Sequence, residues 1–449
     1  MQTEVISTPS LGNRGYLTHD GSVAIAVDVQ RDYERWLQAA EEHGVTITHV
    51  FETHIHNDYV TGGFRLARLL GAEYVIPTDS DPSFSAYEMS DGDRLQVGAM
   101  EVQALHTPGH TPNHLSYVVH DGEQSAVFTG GSVLYGTVGR PDLISADMTQ
   151  ELASAQYDSA QRLAEELDPE TSVYPTHGFG SFCSSAPGTN ADSSSIASEL
   201  ESNIAYTSQD KQDFISAIVS GLQAYPTYYA HMAHSNQAGP GDMKILDAQE
   251  LTSQQVEDML THDRWVLDIR DREAFAQQHP AGAVGFEYSD NVATYVGWIV
   301  PWGETIAIIG DGAEELLDTQ LQLGRIGMDQ FVNTVSDSLQ SYLEAGSVRS
   351  YQTATFADLK QALAETEPYV LDVRQTLEHE AGNVRGSTNI PLHELNTRTQ
   401  ELPDDVEIWV HCESGYRASI AASLIDRAGK EVVLINDAFA NVYKEGLNV

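Results

Sequence analysis

Three histidine clusters occur in the first half of the chain, each where an apolar run gives way to a turn. His54-Ile55-His56-Asn57-Asp58-Tyr59 follows THVFET, with a Gly62-Gly63 pair and the helical run FRLARLLG behind it. The second cluster is His106-Thr107-Pro108-Gly109-His110-Thr111-Pro112-Asn113-His114, and the third is Tyr174-Pro175-Thr176-His177-Gly178. A strand end followed by a turn projects alternate side chains into one cleft, which clustered ligation requires. Imidazoles mixed with a carboxylate suit zinc or non-haem iron, whereas magnesium and calcium call for oxygen ligands alone. One His-x-His pair is weak evidence of a metal, but three clusters in this order are strong. His54, His56 and His110 are ligand candidates, while His106 and His114 read better as satisfied polar residues at strand ends.

A second chemistry is carried by sulfur. The chain has two cysteines, Cys183 and Cys412, too few for a disulfide framework at this length. Cys412 ends the strand VEIWV-His411 and opens Cys412-Glu413-Ser414-Gly415-Tyr416-Arg417 before the helical run ASIAASLIDRAG. A thiol in a short loop at a helix N-terminus meets unpaired N–H groups and the positive end of the dipole, and both favour thiolate or a persulfide anion. Arg417 adds fixed positive charge for an anionic donor such as thiosulfate or for sulfite. Cys183 stands six residues after His177, so the glycine turn could bring its thiol near the metal cleft. A buried small hydrophobe and a sulfur-relay thiol are balanced readings for it.

The elements that must position these residues follow an α/β pattern. Runs such as VAIAVDV, VTITHVF and SAVFTG alternate with helical stretches such as DYERWLQAAEEHG, where Tyr33, Trp36, Leu37 and Ala40 share a face. A helical Gln- and Ser-rich stretch from about 190 to 240 runs into Gly239-Pro240-Gly241-Asp242, which reads as the end of a first domain covering 1–240. Beyond it VLDIRDREAF at 266–275 returns as VLDVRQTLEH at 370–379. The repeat spans roughly a hundred residues, far above solenoid periods, so each copy is a small α/β domain, 243–347 and 353–449, with a linker near 347–353. In the earlier copy, TIAIIGDGAEELL places Gly310 or Asp311 where the later copy has Cys412, so that copy cannot carry sulfur and reads as a spacer or docking domain.

The 449 residues favour about three domains of roughly 100–200 residues. With 66 acidic against 23 basic residues the formal charge is -43, spread along the chain rather than gathered in a tail. Self-repulsion on that scale is tolerable where molar salt shortens screening to about 3 Å, and the composition reads as halophilic. Nucleic acid and anionic membranes are excluded as partners. No basic stretch leads into an apolar run at the N-terminus and no window approaches a membrane span, so a cytoplasmic protein is expected. A homodimer is the base-rate expectation for assembly.

HIHND, TPGHT, FTGGSVLYGTVGRPDL and YPTHG in this order resemble the metallo-β-lactamase superfamily, most nearly its glyoxalase II and persulfide dioxygenase branch, over residues 1–235. The resemblance implies a four-layer αββα sandwich with a metal at one edge. His54, His56 and His110 match first-metal ligands of that family, and Asp58 and His177 match second-metal positions. Tyr59 stands where the family usually has another histidine, which favours a mononuclear centre and the dioxygenase-like branch. Gly131, in Phe128-Thr129-Gly130-Gly131, stands where the family's FTGD carries an aspartate ligand. Three readings follow: an all-imidazole site of His54, His56 and His110, a carboxylate supplied by Asp58 or Asp142, or a degenerate centre.

Cys-x-x-Gly-x-Arg at 412–417, preceded by Asp372-Val373-Arg374 and NVRGSTNIP ending at Pro391, is similar to the rhodanese family, with a six-residue loop that fits sulfur better than phosphate. The expected fold class is therefore an αββα metallo-β-lactamase sandwich followed by two α/β rhodanese-like domains. The order resembles fused persulfide dioxygenase-sulfurtransferases. That resemblance implies oxidation of a low-molecular-weight thiol persulfide to sulfite at one Fe(II), with Zn(II) as the alternative metal, and sulfane-sulfur transfer through Cys412 to or from thiosulfate. The alternatives are a zinc-dependent thioester or ester hydrolase and a sulfur carrier with an inert metal domain.

Overall fold

The computed structural model of the chain describes residues 1–186, 188–189, 191–247, 253–261, 264–335, 342–344 and 346–449. The chain divides into two compact units, Met1–Met243 with Gly324–Gly327, and Lys244–Leu323 with Met328–Val449.

In the first unit two six-stranded sheets face each other. One runs Gln2–Thr8, Asn13–His19, Val23–Val27, Thr46–Phe51, Glu73–Pro77, Tyr87–Met89, and the other Ser194–Ser195, Ser172–Pro175, Ser125–Gly130, Leu115–His120, Met100–His106, Arg94–Val97. Period-two alternation decides which side chains meet. Along Val23–Val27, Ile25 and Val27 point between the sheets with Phe51, Val102, Tyr117 and Phe128. Ala24 and Ala26 point the other way, under Trp36 and Ala40 of the helix Glu34–His43 and Phe64 and Leu66 of the helix Gly63–Leu70. The outer face of the second sheet is covered by the helices Thr149–Glu166 and Lys211–Ser220. This is the expected αββα layering.

Tyr16 ties the two sheets together. Its ring meets Phe128 and Tyr174 edge-on at 5.3 and 5.2 Å, and its hydroxyl donates to the Pro175 carbonyl at 2.5 Å, just ahead of His177. A fully buried aromatic of this kind contributes about 1.5–3 kcal/mol through burial alone. The turns that carry the histidine clusters and Gly131 all leave the same edge of this core: residues 52–62 after Thr46–Phe51, 107–114 after Met100–His106, 131–132 after Ser125–Gly130, and 176–178 after Ser172–Pro175.

The second unit shows the repeat as topology. Val284–Gly285, Trp265–Asp268, Ile306–Ile309 and Phe331–Val335 form a parallel sheet in that order. Thr388–Asn389, Tyr369–Asp372, Ile408–His411 and Val432–Ile435 repeat the order, again parallel, with Gln352–Ala354 added at the edge. Burial on both faces explains the continuous apolar runs in these strands. The shared Asp-x-Arg is structural: Arg270 grips Asp268 through Nε and Nη2 at 2.9 and 2.6 Å, and Arg374 grips Asp372 at 3.0 and 2.7 Å, all buried.

The segment expected to connect the two copies carries two short strands. Val348–Arg349 pairs antiparallel with His279–Pro280, and Gln352–Ala354 pairs parallel with Val432–Ile435. The segment is short, and each half satisfies its backbone on a different copy. Among the described residues no helix is long and apolar enough to cross a membrane.

Candidate functional site

The turns at the open edge of the sandwich bring His54, His110 and His177 together, one ring nitrogen of each lying within 4.8 Å of the others. All three are fully buried. His54 Nε2 and His177 Nε2 are 3.3 Å apart. The far nitrogens are occupied: His54 Nδ1 by Thr53 Oγ1 at 2.9 Å, His110 Nδ1 by the Arg140 carbonyl at 3.0 Å, and His177 Nδ1 by Asn13 Oδ1 at 3.0 Å and Asp58 Oδ2 at 3.2 Å. Carbonyl, hydroxyl and carboxylate groups behind an imidazole fix its tautomer and aim the other nitrogen inward, as outer-sphere partners of a metal do.

His56 follows the same logic with the ring reversed. Its Nε2 meets Glu52 Oε2 at 3.0 Å and Asp28 Oδ1 at 3.2 Å, leaving Nδ1 free. Burial opposes a charge on His56, but the two buried carboxylates outweigh it and hold its pKa at about 10 in the absence of metal. Burial first, then the neighbouring imidazoles, push His54 and His110 well below the ordinary histidine value, so both present neutral lone pairs. His110 Nε2, His56 Nδ1 and Asp58 Oδ1 are buried with no hydrogen-bond partner among the described residues. Orphaned buried donors and acceptors cost about 1–3 kcal/mol each. Their convergence, with imidazole predominating, fits an ion such as zinc or iron.

The carboxylates divide. Asp58 accepts from Asn13 Nδ2 at 2.7 Å and backs His177 with one oxygen, keeping the other unpaired. Asp142 is committed to Arg140, which holds it at 2.7 and 2.8 Å. Gly131 leaves no room for the aspartate of the family pattern, because a Cβ there would stand 2.2 Å from His110 Cδ2. His114 is spent on structure, bonded to Thr107 Oγ1 and to the Gly131 N–H. The exposed His106 contacts the Pro112 carbonyl. Tyr59 is fully buried and stacks on His56 with centroids 4.4 Å apart.

Asn236 has no motif around it and was invisible in the sequence. On the helix Tyr229–Ala238 it donates to the carbonyls of His56 and Tyr59 at 3.0 and 2.9 Å and accepts from the Thr61 N–H at 2.9 Å. One side chain thus clamps the His56–Thr61 turn. Only the Gln- and Ser-rich character of that helix hinted at a polar role.

Cys183 is fully buried with its thiol 3.7 Å from the Tyr229 hydroxyl. Burial, reinforced by the Asp58 charge, pushes its pKa well above the usual thiol value. A relay role would require this thiol to ionise, which its surroundings oppose.

In the second unit, the strand Ile408–His411 ends at Cys412 and the helix Tyr416–Arg427 begins four residues later. Gly415 makes the turn at φ +92°, and a Cβ there would stand 2.2 Å from Asn436 Oδ1. The Cys412 sulfur receives the N–H groups of Gly415 at 3.2 Å and Ala418 at 3.3 Å. This backbone cradle stabilises a thiolate or a terminal sulfane sulfur. The Arg417 guanidinium is paired with Glu378, which holds it through two contacts of 2.6 and 2.7 Å. The cysteine-less copy supports the loop. Tyr416 donates its hydroxyl to the Glu287 carbonyl at 2.8 Å and receives one from Ser289 at 3.0 Å, while Arg272 reaches the Ser414 carbonyl at 3.3 Å.

Residues 26–177 match the model of the metallo-beta-lactamase superfamily, and residues 355–445 match that of the rhodanese-like domain. A hydroxyacylglutathione hydrolase of Cereibacter sphaeroides is 31% identical over 186 residues, 40% of this chain and 68% of the relative. The persulfide dioxygenase ETHE1 of Bos taurus is 30% identical over 158 residues, 35% of this chain and 59% of the relative. The chain spans 53 to 62% of the length of the first curated relatives it matches. A metallo-beta-lactamase crystal structure from Staphylococcus aureus superposes with a TM-score of 0.67 at 25% identity, covering 75% of this chain and 99% of that one. The buried histidine turns at the edge of an αββα sandwich and the cysteine loop therefore have one family setting: the chain belongs to the metallo-beta-lactamase superfamily and carries a rhodanese-like domain at its C-terminal end.

Proposed function

We propose that this protein handles sulfane sulfur, oxidising a low-molecular-weight thiol persulfide to sulfite at the histidine cluster and transferring sulfane sulfur through Cys412. The observation that carries the reading is the Cys412 cradle, two backbone N–H groups aimed at a sulfur atom at a helix N-terminus. In the transfer step the Cys412 thiolate attacks the outer sulfur of thiosulfate. An S–S bond forms at Cys412, the S–S bond of thiosulfate breaks, and sulfite leaves with its electron pair; the reverse consumes sulfite. In the oxidation, persulfide, dioxygen and water yield thiol, sulfite and two protons, so dioxygen is the oxidant.

His54, His110 and His177 would hold one iron or zinc ion, with His56 Nδ1 as a further donor and Asp58 orienting His177. Such an ion, when bound, supplies Lewis acidity and, as iron, a site for dioxygen chemistry. The protein's part is to exclude bulk water by full burial and to fix each imidazole through its far nitrogen. A cytoplasmic, homodimeric protein and a docking role for residues 243–347 complete the proposal.

The imidazole-dominated donor set favours a second reading, zinc-dependent hydrolysis of a thioester of the kind implied by the hydroxyacylglutathione hydrolase relatives. Metal analysis of protein purified without oxygen in molar salt separates the two when combined with O2 uptake on a persulfide. Stoichiometric iron with uptake lost in His110→Ala supports oxidation. Zinc with thioester cleavage and no uptake supports hydrolysis and overturns oxidation. Cys412→Ser is expected to abolish thiosulfate:cyanide sulfurtransfer while leaving O2 uptake intact, and retained transfer refutes the Cys412 assignment.

A further inference from the structure

The arginines around Cys412 are already committed. Glu378 holds Arg417, Asp372 and the Gly382 carbonyl hold Arg374 at 2.7 Å each, and Glu287 and the Ser414 carbonyl hold Arg272. The two N–H groups of the cradle are aimed at the cysteine sulfur itself. An anionic sulfur donor brings its oxygens to a different place. Two S–S bonds of about 2.05 Å in line put the sulfonate sulfur of thiosulfate roughly 4 Å beyond the Cys412 sulfur, outside the cradle. A hydrogen-bond donor for those oxygens must come from a neighbouring element.

The cysteine-less copy supplies one. Its helix Val292–Ile299 carries Tyr295, whose ring packs on Tyr416 with centroids 5.3 Å apart and on Trp298 at 5.6 Å. Trp298 in turn faces His393 at 5.5 Å, so the helix meets the later copy at two points. Tyr416 is itself fixed through its hydroxyl by the Glu287 carbonyl and Ser289, which sets where Tyr295 stands. Ring packing accounts for an aromatic residue at this position but not for its hydroxyl. Tyr295 is half-buried, and among the described residues its hydroxyl makes no hydrogen bond, yet it is not sealed from solvent. Burial raises its pKa above the usual phenol value, the Arg417 charge opposes the rise, and Cys412 and Glu378 add to it. The hydroxyl therefore keeps its proton beside Cys412 and Arg417 and is free to donate one hydrogen bond.

We propose that Tyr295 of the cysteine-less copy touches the substrate of Cys412, its hydroxyl donating to a sulfonate oxygen of thiosulfate and to the same oxygen of sulfite as the S–S bond breaks or forms. This rests on the sulfane-sulfur transfer reading for Cys412, and it gives the earlier copy a share in that reaction. A neutral donor suits the position, because the arginines are paired and Glu413, next to Cys412, keeps an exposed carboxylate there.

The test compares two sulfur donors on the full-length protein in molar salt, with cyanide as acceptor and the uncatalysed rate subtracted. Thiosulfate carries sulfonate oxygens, whereas ethyl persulfide carries no oxygen and leaves as ethanethiolate when Cys412 attacks its outer sulfur. Tyr295→Phe keeps the ring and its packing and removes only the hydroxyl. It is expected to lower kcat/KM for thiosulfate about tenfold or more, the loss of one hydrogen bond to a charged group, and to leave kcat/KM for ethyl persulfide at the parental value. Tyr288→Phe removes another phenol of the same copy, one that donates to Asp318 at 3.0 Å, and is expected to change neither. Equal losses with both donors would mean that the hydroxyl acts on the loop rather than on the oxyanion, and this overturns the proposal, as does an unchanged rate with thiosulfate. A parent protein that transfers sulfur from neither donor refutes the Cys412 reading and the Tyr295 assignment with it. Transfer in the parent with no donor-dependent loss in Tyr295→Phe refutes the Tyr295 assignment alone.

Discussion

Gly131→Ala asks whether the glycine at the position of the family's aspartate is required by the packing around His110. The added methyl would lie 2.2 Å from His110 Cδ2 and 2.5 Å from Cγ, against 3.4–4 Å for ordinary contact. The ring must therefore move by about 1 Å, which is typical of overpacking that costs ~1–3 kcal/mol. It cannot move without stretching the 3.0 Å bond from its Nδ1 to the Arg140 carbonyl, a further ~1 kcal/mol. The total is ~2–4 kcal/mol, which lowers Tm by roughly 4–16 °C for a unit of this size. Metal-free protein scanned by calorimetry in molar salt measures the packing cost. Metal titration of the same variant measures the loss of aim at Nε2, expected to exceed tenfold in affinity. Gly221→Ala is the control, since its Cβ would meet nothing nearer than the Ser185 carbonyl at 3.4 Å. If Gly131→Ala melts within about 1 °C of the parent and binds metal with unchanged stoichiometry and affinity, the ring has room and the packing argument fails. Gly131→Asp is expected to displace His110 in the same way, so the family carboxylate is not restored by one substitution.

Glu378→Gln is expected to free the Arg417 charge beside Cys412 and lower KM for thiosulfate severalfold with little change in kcat; an unchanged or raised KM means that the charge is not used. Asn236→Ala removes three buried hydrogen bonds to the His56–Thr61 turn and should cost ~2–4 kcal/mol along with tenfold or more in metal affinity; a destabilised variant with parental metal affinity would show that the clamp does not aim the ligands. His411 is buried, which lowers its pKa from 6.5 to about 4. The unfolded chain takes up this proton first, so the stabilisation is present above pH 6.5 and lost as pH falls toward 4, by ~3 kcal/mol. Denaturant titrations from pH 7 to pH 4 should show that extra loss in the parent and not in His411→Gln, and parallel pH profiles would refute it.

The sequence by itself determined the local chemistry. His54, His56, His110 and His177 were legible because each sits where an apolar strand breaks into a turn, and that pattern is written within a few residues. Cys412 was legible for the same reason, with strand, loop and helix contiguous. The two copies of Val-Leu-Asp-x-Arg announced the repeated sheets. What only the tertiary structure decided is where each group points and whether its charge is free. Asp58 became a partner of His177, Asp142 was consumed by Arg140, and Glu378, 39 residues away, neutralised Arg417. Asn236 reached the His56–Thr61 turn across 180 positions, and Val348–Arg349 and Gln352–Ala354 became strands by pairing with different copies. The physical reason is shared: a motif encodes covalent neighbours, whereas a buried polar group is satisfied by whichever partner packing delivers, and that partner leaves no local trace in the sequence.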